Sequence, residues 1–272
     1  MSEFAALTHP GNRDGENQDS IGWDAEQRLW LVADGMGGHA SGEVASRLVK
    51  QTLLEQAASV GVPAAILLAP EAVVRESQHL DPQRGMGSTV VTAQIQERTA
   101  QIVWVGDSRA YLWRRGELQR LTRDHSYLEM LRVEENLSET ALRDHQGSNV
   151  VTQALGMGTP IPSQADVPLH TGDWIILCSD GLPVELRDRE IAEVLAAHDS
   201  PKAAADALLA ATMQHGGRDN ISVIVIPYDG PSARGTGGRW PAFKGRTFEW
   251  LAVLVGVVLA AAIALLWRRW IK

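Results

Sequence analysis

Leu29-Trp30-Leu31-Val32-Ala33-Asp34-Gly35-Met36-Gly37-Gly38-His39-Ala40-Ser41-Gly42-Glu43 changes character twice within fifteen residues. The first five side chains are apolar at every position, the pattern of a short strand covered on both faces. An aspartate then stands at the strand end beside glycine. From Ser41 the spacing becomes helical, and over 41–58 Val44, Ala45, Leu48, Val49, Thr52 and Leu53 fall on one face.

Outward from this stretch, apolar runs rich in Val, Ile and Trp recur at 88–95, 101–105, 110–114, 173–178 and 221–227, and Arg115-Gly116 marks a hairpin between two such segments. Further helical patterns occupy 64–80, 189–198 and 202–215. Asp188 is placed to cap the second of these, and Ser200-Pro201 to start the third. Strand-rich segments with helical pairs inserted among them predict an α+β layered domain.

The acid at the end of the opening strand is repeated. Asp107 follows Val105-Gly106, Asp180 follows Cys178-Ser179, Asp219 stands in Gly217-Arg218-Asp219-Asn220 before a strand, and Asp19 lies in Asn17-Gln18-Asp19-Ser20 before another candidate strand. A single Asp-Gly reads as an ordinary turn. Five acids at strand edges are different, because a carboxylate at the rim of a buried sheet is costly without hydrogen bonds or a cation. If the strands converge, these acids form an oxygen-only cluster, which suits Mg2+ or Mn2+ better than zinc. Two such ions, about 3.5–4 Å apart, can activate a bridging water toward phosphorus without a protein nucleophile.

In this order, Gly11-Asn12-Arg13, Asn17-Gln18-Asp19-Ser20, the segment 31–43, Gly87-Ser88-Thr89, 105–111, Thr122-Arg123-Asp124-His125-Ser126, Ala154-Leu155-Gly156, Ser179-Asp180-Gly181-Leu182 and 219–223 resemble the metal-dependent protein phosphatases of the 2C type, in particular the bacterial branch. The resemblance covers 9–228. It implies a central β-sandwich of two antiparallel sheets flanked by helix pairs, in α-β-β-α layers. It also implies that Asp19, Asp34, Asp180 and Asp219, with the Gly35 carbonyl, hold two central Mn2+ or Mg2+ ions, and that Asp107 with Asp180 serves a third. Arg13 would grip the substrate phosphate bidentately, a metal-bound water would be the nucleophile, Gln18 and Asn220 would stand behind the metals, and 127–149 would be a flap over the cleft. The implied reaction is hydrolysis of phosphoserine and phosphothreonine in proteins, opposing a bacterial Ser/Thr kinase of the eukaryote-like type. Three positions depart from the common pattern: Gln18 replaces a glutamate, Arg13 lies four residues before Asn17 rather than three, and Met36 stands where animal relatives carry a histidine proposed as general acid. The general acid is left unassigned.

Other chemistries fit less well. A serine hydrolase at Ser108 lacks the nucleophile elbow, which is broken at Ala110. A cysteine phosphatase at Cys178 needs an arginine six residues on, where Val184 stands. His39 and His125 read as structural hydrogen-bonding groups. The remaining alternative is a catalytically impaired, phosphoprotein-binding membrane scaffold of the same fold.

Charge is unevenly distributed. Of 25 basic and 33 acidic residues, seven and one lie beyond residue 230, which leaves 18 basic and 32 acidic residues in 1–230. So acidic a domain is a poor nucleic-acid binder and a suitable collector of cations. With Cys178 alone, no internal disulfide forms. Residues 231–247 read as a flexible basic linker, 248–267 as a single membrane-spanning helix with Trp250 and Trp267 near its ends, and 268–272 as a short basic tail. No secretory signal pattern stands at the start. The expectation is a phosphatase domain over 1–230 on the cytoplasmic side of a bacterial inner membrane, anchored by one pass.

Overall fold

The computed structural model describes residues 3–12, 15–37, 41–80, 85–134 and 150–230. One antiparallel sheet runs β1 (Ala5–His9), β11 (Ile221–Tyr228), β10 (Asp173–Cys178), β7 (Arg109–Arg114) and β8 (Glu117–Arg120), in that spatial order. The second runs β2 (Asp19–Asp24), β3 (Leu29–Gly37), β5 (Val90–Gln96), β6 (Thr99–Val105) and β9 (Ser163–Pro168), and the short β4 (Met86–Ser88) pairs with the far end of β3.

Strand alternation explains why 29–33 is apolar throughout. Trp30 and Val32 point between the sheets, where they meet Val91, Ile102 and Trp104 of their own sheet and Ile175, Leu177, Ile224 and Ile226 of the other. Leu29, Leu31 and Ala33 point the opposite way, onto α1 (Ser41–Val60) and α2 (Val62–Leu80). On the far side, Ile176, Cys178, Val223 and Val225 pack on α4 (Gly181–Glu185), α5 (Asp188–Ala196) and α6 (Pro201–Gln214). The result is the expected α-β-β-α sandwich. The short α3 (Tyr127–Glu134) forms the start of the segment expected as a flap.

Two local expectations change. The buried face of α1 is Gly42, Ala45, Ser46, Val49, Leu53 and Ala57, with Val44 and Leu48 only packed against its edge. Asp188 is not the cap of α5 but its first residue, because its carboxylate accepts the hydrogen bond of the buried Tyr111 hydroxyl at 3.1 Å. Arg187 takes the cap position, and its N–H donates to Glu190 Oε2 at 2.7 Å. Ser200 does cap α6, accepting from the Ala203 N–H at 3.3 Å with Pro201 next in line. Arg115 and Gly116 have φ of 53° and 82°, as tight hairpin turns require. Among the described residues no helix is long and apolar enough to cross a membrane; the span expected at 248–267 lies outside them.

At the ends of β7 and β10 remote from Asp107 and Asp180, the Arg114 guanidinium donates to both oxygens of Asp173, at 2.8 and 2.5 Å, and to the Pro168 carbonyl at 2.7 Å. Removing one partner of a buried pair strands the other charge, which costs about 3–5 kcal/mol. Asp173→Ala should therefore lower Tm by about 6–20 °C for a domain of this size. A shift under about 2 °C in a thermal melt would show that Arg114 finds solvent instead.

Candidate metal centre

Asp19 and Asp34 are direct cross-strand partners in the β2–β3 ladder. Alternation puts Asp34 on the same face as Trp30 and Val32, so both acids close one end of the space between the sheets. Like charges placed opposite each other in this way are mutually destabilising. From the other sheet, Ser179 just beyond β10 and Ser222 in β11 each donate a hydroxyl to Asp19 Oδ2 at 2.7 Å. The Ser222 N–H in turn donates to Ser179 Oγ at 3.0 Å. Asp19 Oδ1 is buried and has no partner.

The remaining acids gather at the same end. Asp180 follows Ser179, and its carboxyl lies close enough to Asp34 for each to act on the other's pKa. Asp219 precedes β11, near enough to raise the pKa of Asp19, Asp34 and Asp180 alike. Asp107, beyond β6, acts on Asp34 and is itself acted on by Asp180. Burial is the largest influence on each of the four shifted acids. It pushes Asp19 up to about 7, against the two serine hydroxyls, and Asp107 up to about 8. It pushes Asp180 up to about 6 and Asp34 well above the usual carboxylate range, with neighbouring acids adding to both. Among the described residues no group of three or more acidic, imidazole or thiol side chains is drawn together closely enough to hold a metal ion as it stands.

Backbone contacts hold these loops together. Asn220 Oδ1 accepts the Gln18 N–H at 2.8 Å, its Nδ2 donates to the Pro10 carbonyl at 3.0 Å, and its own N–H donates to Asp219 Oδ1 at 2.8 Å. Asn12 binds the carbonyls of Gly216 and Gly217. Gln18 contributes its carbonyl to the Gly35 N–H at 3.1 Å, while its side chain lies against Gly42. Gly35 admits no side chain: a Cβ there would sit 1.9 Å from the Gly42 carbonyl oxygen. Arg13, His39 and 135–149 lie outside the described residues.

A model of protein phosphatase 2C matches residues 11–220, from the Gly11 turn to Asn220. The chain belongs to the protein phosphatase 2C family. It is 34% identical over 227 residues to the serine/threonine phosphatase stp of Listeria welshimeri, covering 78% of this chain and 86% of that one. A crystal structure of the Mycobacterium tuberculosis serine/threonine phosphatase PstP superposes with a TM-score of 0.78 at 30% identity, covering 84% of this chain and 98% of that one. The catalytic domain of PstP in complex with two manganese ions gives 0.73 at 30% identity, covering 83% and 97%.

The residues of this protein phosphatase 2C chain fit such ions. A buried carboxylate oxygen without a partner, beside acids whose charged forms are disfavoured first by burial and also by one another, as at Asp19 and Asp34, is the electrostatic complement of hard divalent cations. The other chemistries lack their parts. Ser108 is buried and pairs with Thr89 Oγ1 at 2.8 Å. His125 accepts the Gly106 N–H at Nδ1, 3.2 Å, and meets Ser163 Oγ through Nε2 at 2.9 Å, with burial lowering its pKa to about 4, so it braces the Asp107 turn as a neutral ring. Burial pushes the Cys178 thiol up to about 12, far from a nucleophilic thiolate. The roles of Ser179 and Ser222 were not foreseen. Their only mark in the sequence is a hydroxyl interrupting otherwise apolar strand ends.

Proposed function

We infer that this chain is a metal-dependent protein serine/threonine phosphatase in which Asp19, Asp34, Asp180 and Asp219, with the Gly35 carbonyl, hold two central Mn2+ or Mg2+ ions, and Asp107 with Asp180 a third. The observation that carries this reading is the split role of Asp19, whose Oδ2 is saturated by two serine hydroxyls while its buried Oδ1 is left for another partner. Such ions, when bound, supply a water acidic enough to attack phosphorus and positive charge for the transferring phosphoryl group. The chain's own part is positional. Ser179 and Ser222 fix the Asp19 carboxylate, Asn220 fixes the Asp219 loop against the Gln18 backbone, and His125 fixes the turn that carries Asp107. Arg13 is assigned to the substrate phosphate and lies close in sequence to Asn12, which is tied to the 216–217 carbonyls.

Hydrolysis of p-nitrophenyl phosphate by residues 1–230 tests this reading. Turnover should require Mn2+ or Mg2+, vanish in EDTA and return on adding metal. A metal-loaded protein without turnover would leave the phosphoprotein-binding scaffold as the better account.

The substrates belong to phosphorylated proteins, with a bacterial eukaryote-like Ser/Thr kinase and its targets as the natural opponents. The uncharged stretch within 248–267, preceded by a linker over 231–247, would hold the domain at the cytoplasmic face of the inner membrane and raise the local concentration of membrane-bound substrates. On fractionation the full chain should sediment with membranes and 1–230 should not. A full chain found in the soluble fraction would remove the anchor from the model.

A further inference from the structure

Alternation along β3 continues past the acid. Asp34 lies on the face that looks between the sheets, and Met36, two residues on, lies on the same face, about 7 Å further toward the open end. Directly across the β3–β4 ladder from Met36 stands Gly87. A Cβ on Gly87 would lie 2.9 Å from Met157 Cγ and 3.0 Å from Met157 Sδ, so the Met157 side chain occupies the space that a side chain at 87 would fill. The register therefore brings Met36 and Met157 to the same side of the β3–β4 ladder, two residues beyond Asp34.

Met157 is held there firmly. The Ser88 N–H donates to the Leu155 carbonyl at 2.9 Å, the Leu155 N–H returns to the Ser88 carbonyl at 2.8 Å, and the Met157 N–H donates to the Ala154 carbonyl at 3.2 Å. Leu155 is fully buried in the core beneath α1 and α2. Yet Met157 itself is 52% exposed, and Met36 is half-buried. A thioether side chain on a fixed mount, left open to solvent beside a reaction centre, can adapt its shape to an apolar partner.

We propose that Met36 and Met157 form an apolar shelf that receives an apolar side chain flanking the phosphorylated residue of the protein substrate. This rests on the phosphatase reading above, and that reading supplies the occupant. With the phosphate at the acid cluster, an extended substrate advances about 3.3 Å per residue, so a residue one or two positions from the phosphorylated one passes over the shelf. The surrounding domain is acidic, with 18 basic and 32 acidic residues over 1–230, so an apolar shelf also accepts neighbours that bring no negative charge toward it.

The test uses Mn2+-loaded protein and two phosphothreonine peptides that differ only in carrying Leu or Gln at the two positions on each side of the phosphothreonine, which changes polarity without changing charge. Wild type should favour the Leu peptide about 5–10-fold in kcat/KM, in keeping with partial burial of one apolar side chain. Met157→Gln should shrink that ratio to about 2 or less, and Met157→Leu should keep most of it, because only the former removes the apolar surface. Tm for each variant establishes that it is folded. Equal turnover of the two peptides by wild type, or a ratio unchanged in folded Met157→Gln, overturns the shelf while leaving the phosphatase reading in place. Absence of turnover on both peptides and on p-nitrophenyl phosphate removes that reading, and the shelf with it.

Discussion

Asp34→Asn is expected to reduce metal-dependent hydrolysis of p-nitrophenyl phosphate by about 1000-fold or more in kcat/KM and, in EDTA, to raise Tm. Both effects come from one carboxylate. Asp34 sits directly opposite Asp19, lies beside Asp180, and has its pKa driven well above the usual range by burial and then by Asp19, Asp180, Asp107 and Asp219. In metal-free protein this carboxyl is a liability, because on folding it must either bear a disfavoured charge or take up a proton that the unfolded chain does not hold. An amide of the same size does neither, and relief of about 1–2 kcal/mol would appear as about 2–8 °C in Tm. With metal present the same substitution deletes an anionic ligand and weakens the charge stabilisation on which the reaction depends. A folded variant that keeps more than about a tenth of wild-type kcat/KM, or melts lower than wild type in EDTA, would place Asp34 outside the metal set. A structural aspartate would behave oppositely, because its loss would cost stability in EDTA.

How much of this was legible beforehand depends on the kind of residue. The inner strands announced themselves because 29–33, 173–178 and 221–227 are short and apolar at nearly every position, as a sheet covered on both sides requires. Strand β9, Ser163–Pro168, was missed. It lies at a sheet edge, alternates polar with apolar residues, and so resembles a loop. The acids could be named because each stands where an apolar run meets a glycine or a turn. Their supports could not, since a serine hydroxyl reads the same whether it faces water or a buried carboxylate. Ser179 and Ser222 reach Asp19 across separations of 160 and 203 residues, which no local pattern encodes. Asp188 shows the converse: it looked like a cap by position, and a buried tyrosine hydroxyl decided otherwise.

The same electrostatics makes metal-free stability fall as pH rises. Asp19 and Asp107 titrate near 7 and 8 in the folded chain, against 3.8 for an unperturbed aspartate, so in neutral solution the native state binds more protons than the unfolded one. Stability then declines with pH, by about 1.4 kcal/mol per pH unit for each excess proton held. The contribution is favourable at low pH, is lost as pH passes through the folded values, and levels off above them. His125 acts in the opposite sense: its pKa, lowered to about 4, costs stability as pH falls below the unfolded value of 6.5. Between about pH 6.5 and about pH 8.5 the acids dominate, since His125 is neutral in the folded chain and only half protonated in the unfolded one at the lower end, which offsets the acids by about 0.4 kcal/mol. In EDTA, Tm should drop by about 4–8 °C over this interval, corresponding to about 2 kcal/mol. Saturating Mn2+ should flatten or reverse the slope, because the cation replaces the protons at the carboxylates and stabilises only the folded chain. The stabilisation by Mn2+ should thus be larger at the higher pH, and smaller at both pH values in Asp34→Asn. If Tm in EDTA instead rose across the interval, the acids would already be compensated within the protein, and a cluster so satisfied would have no need of metal.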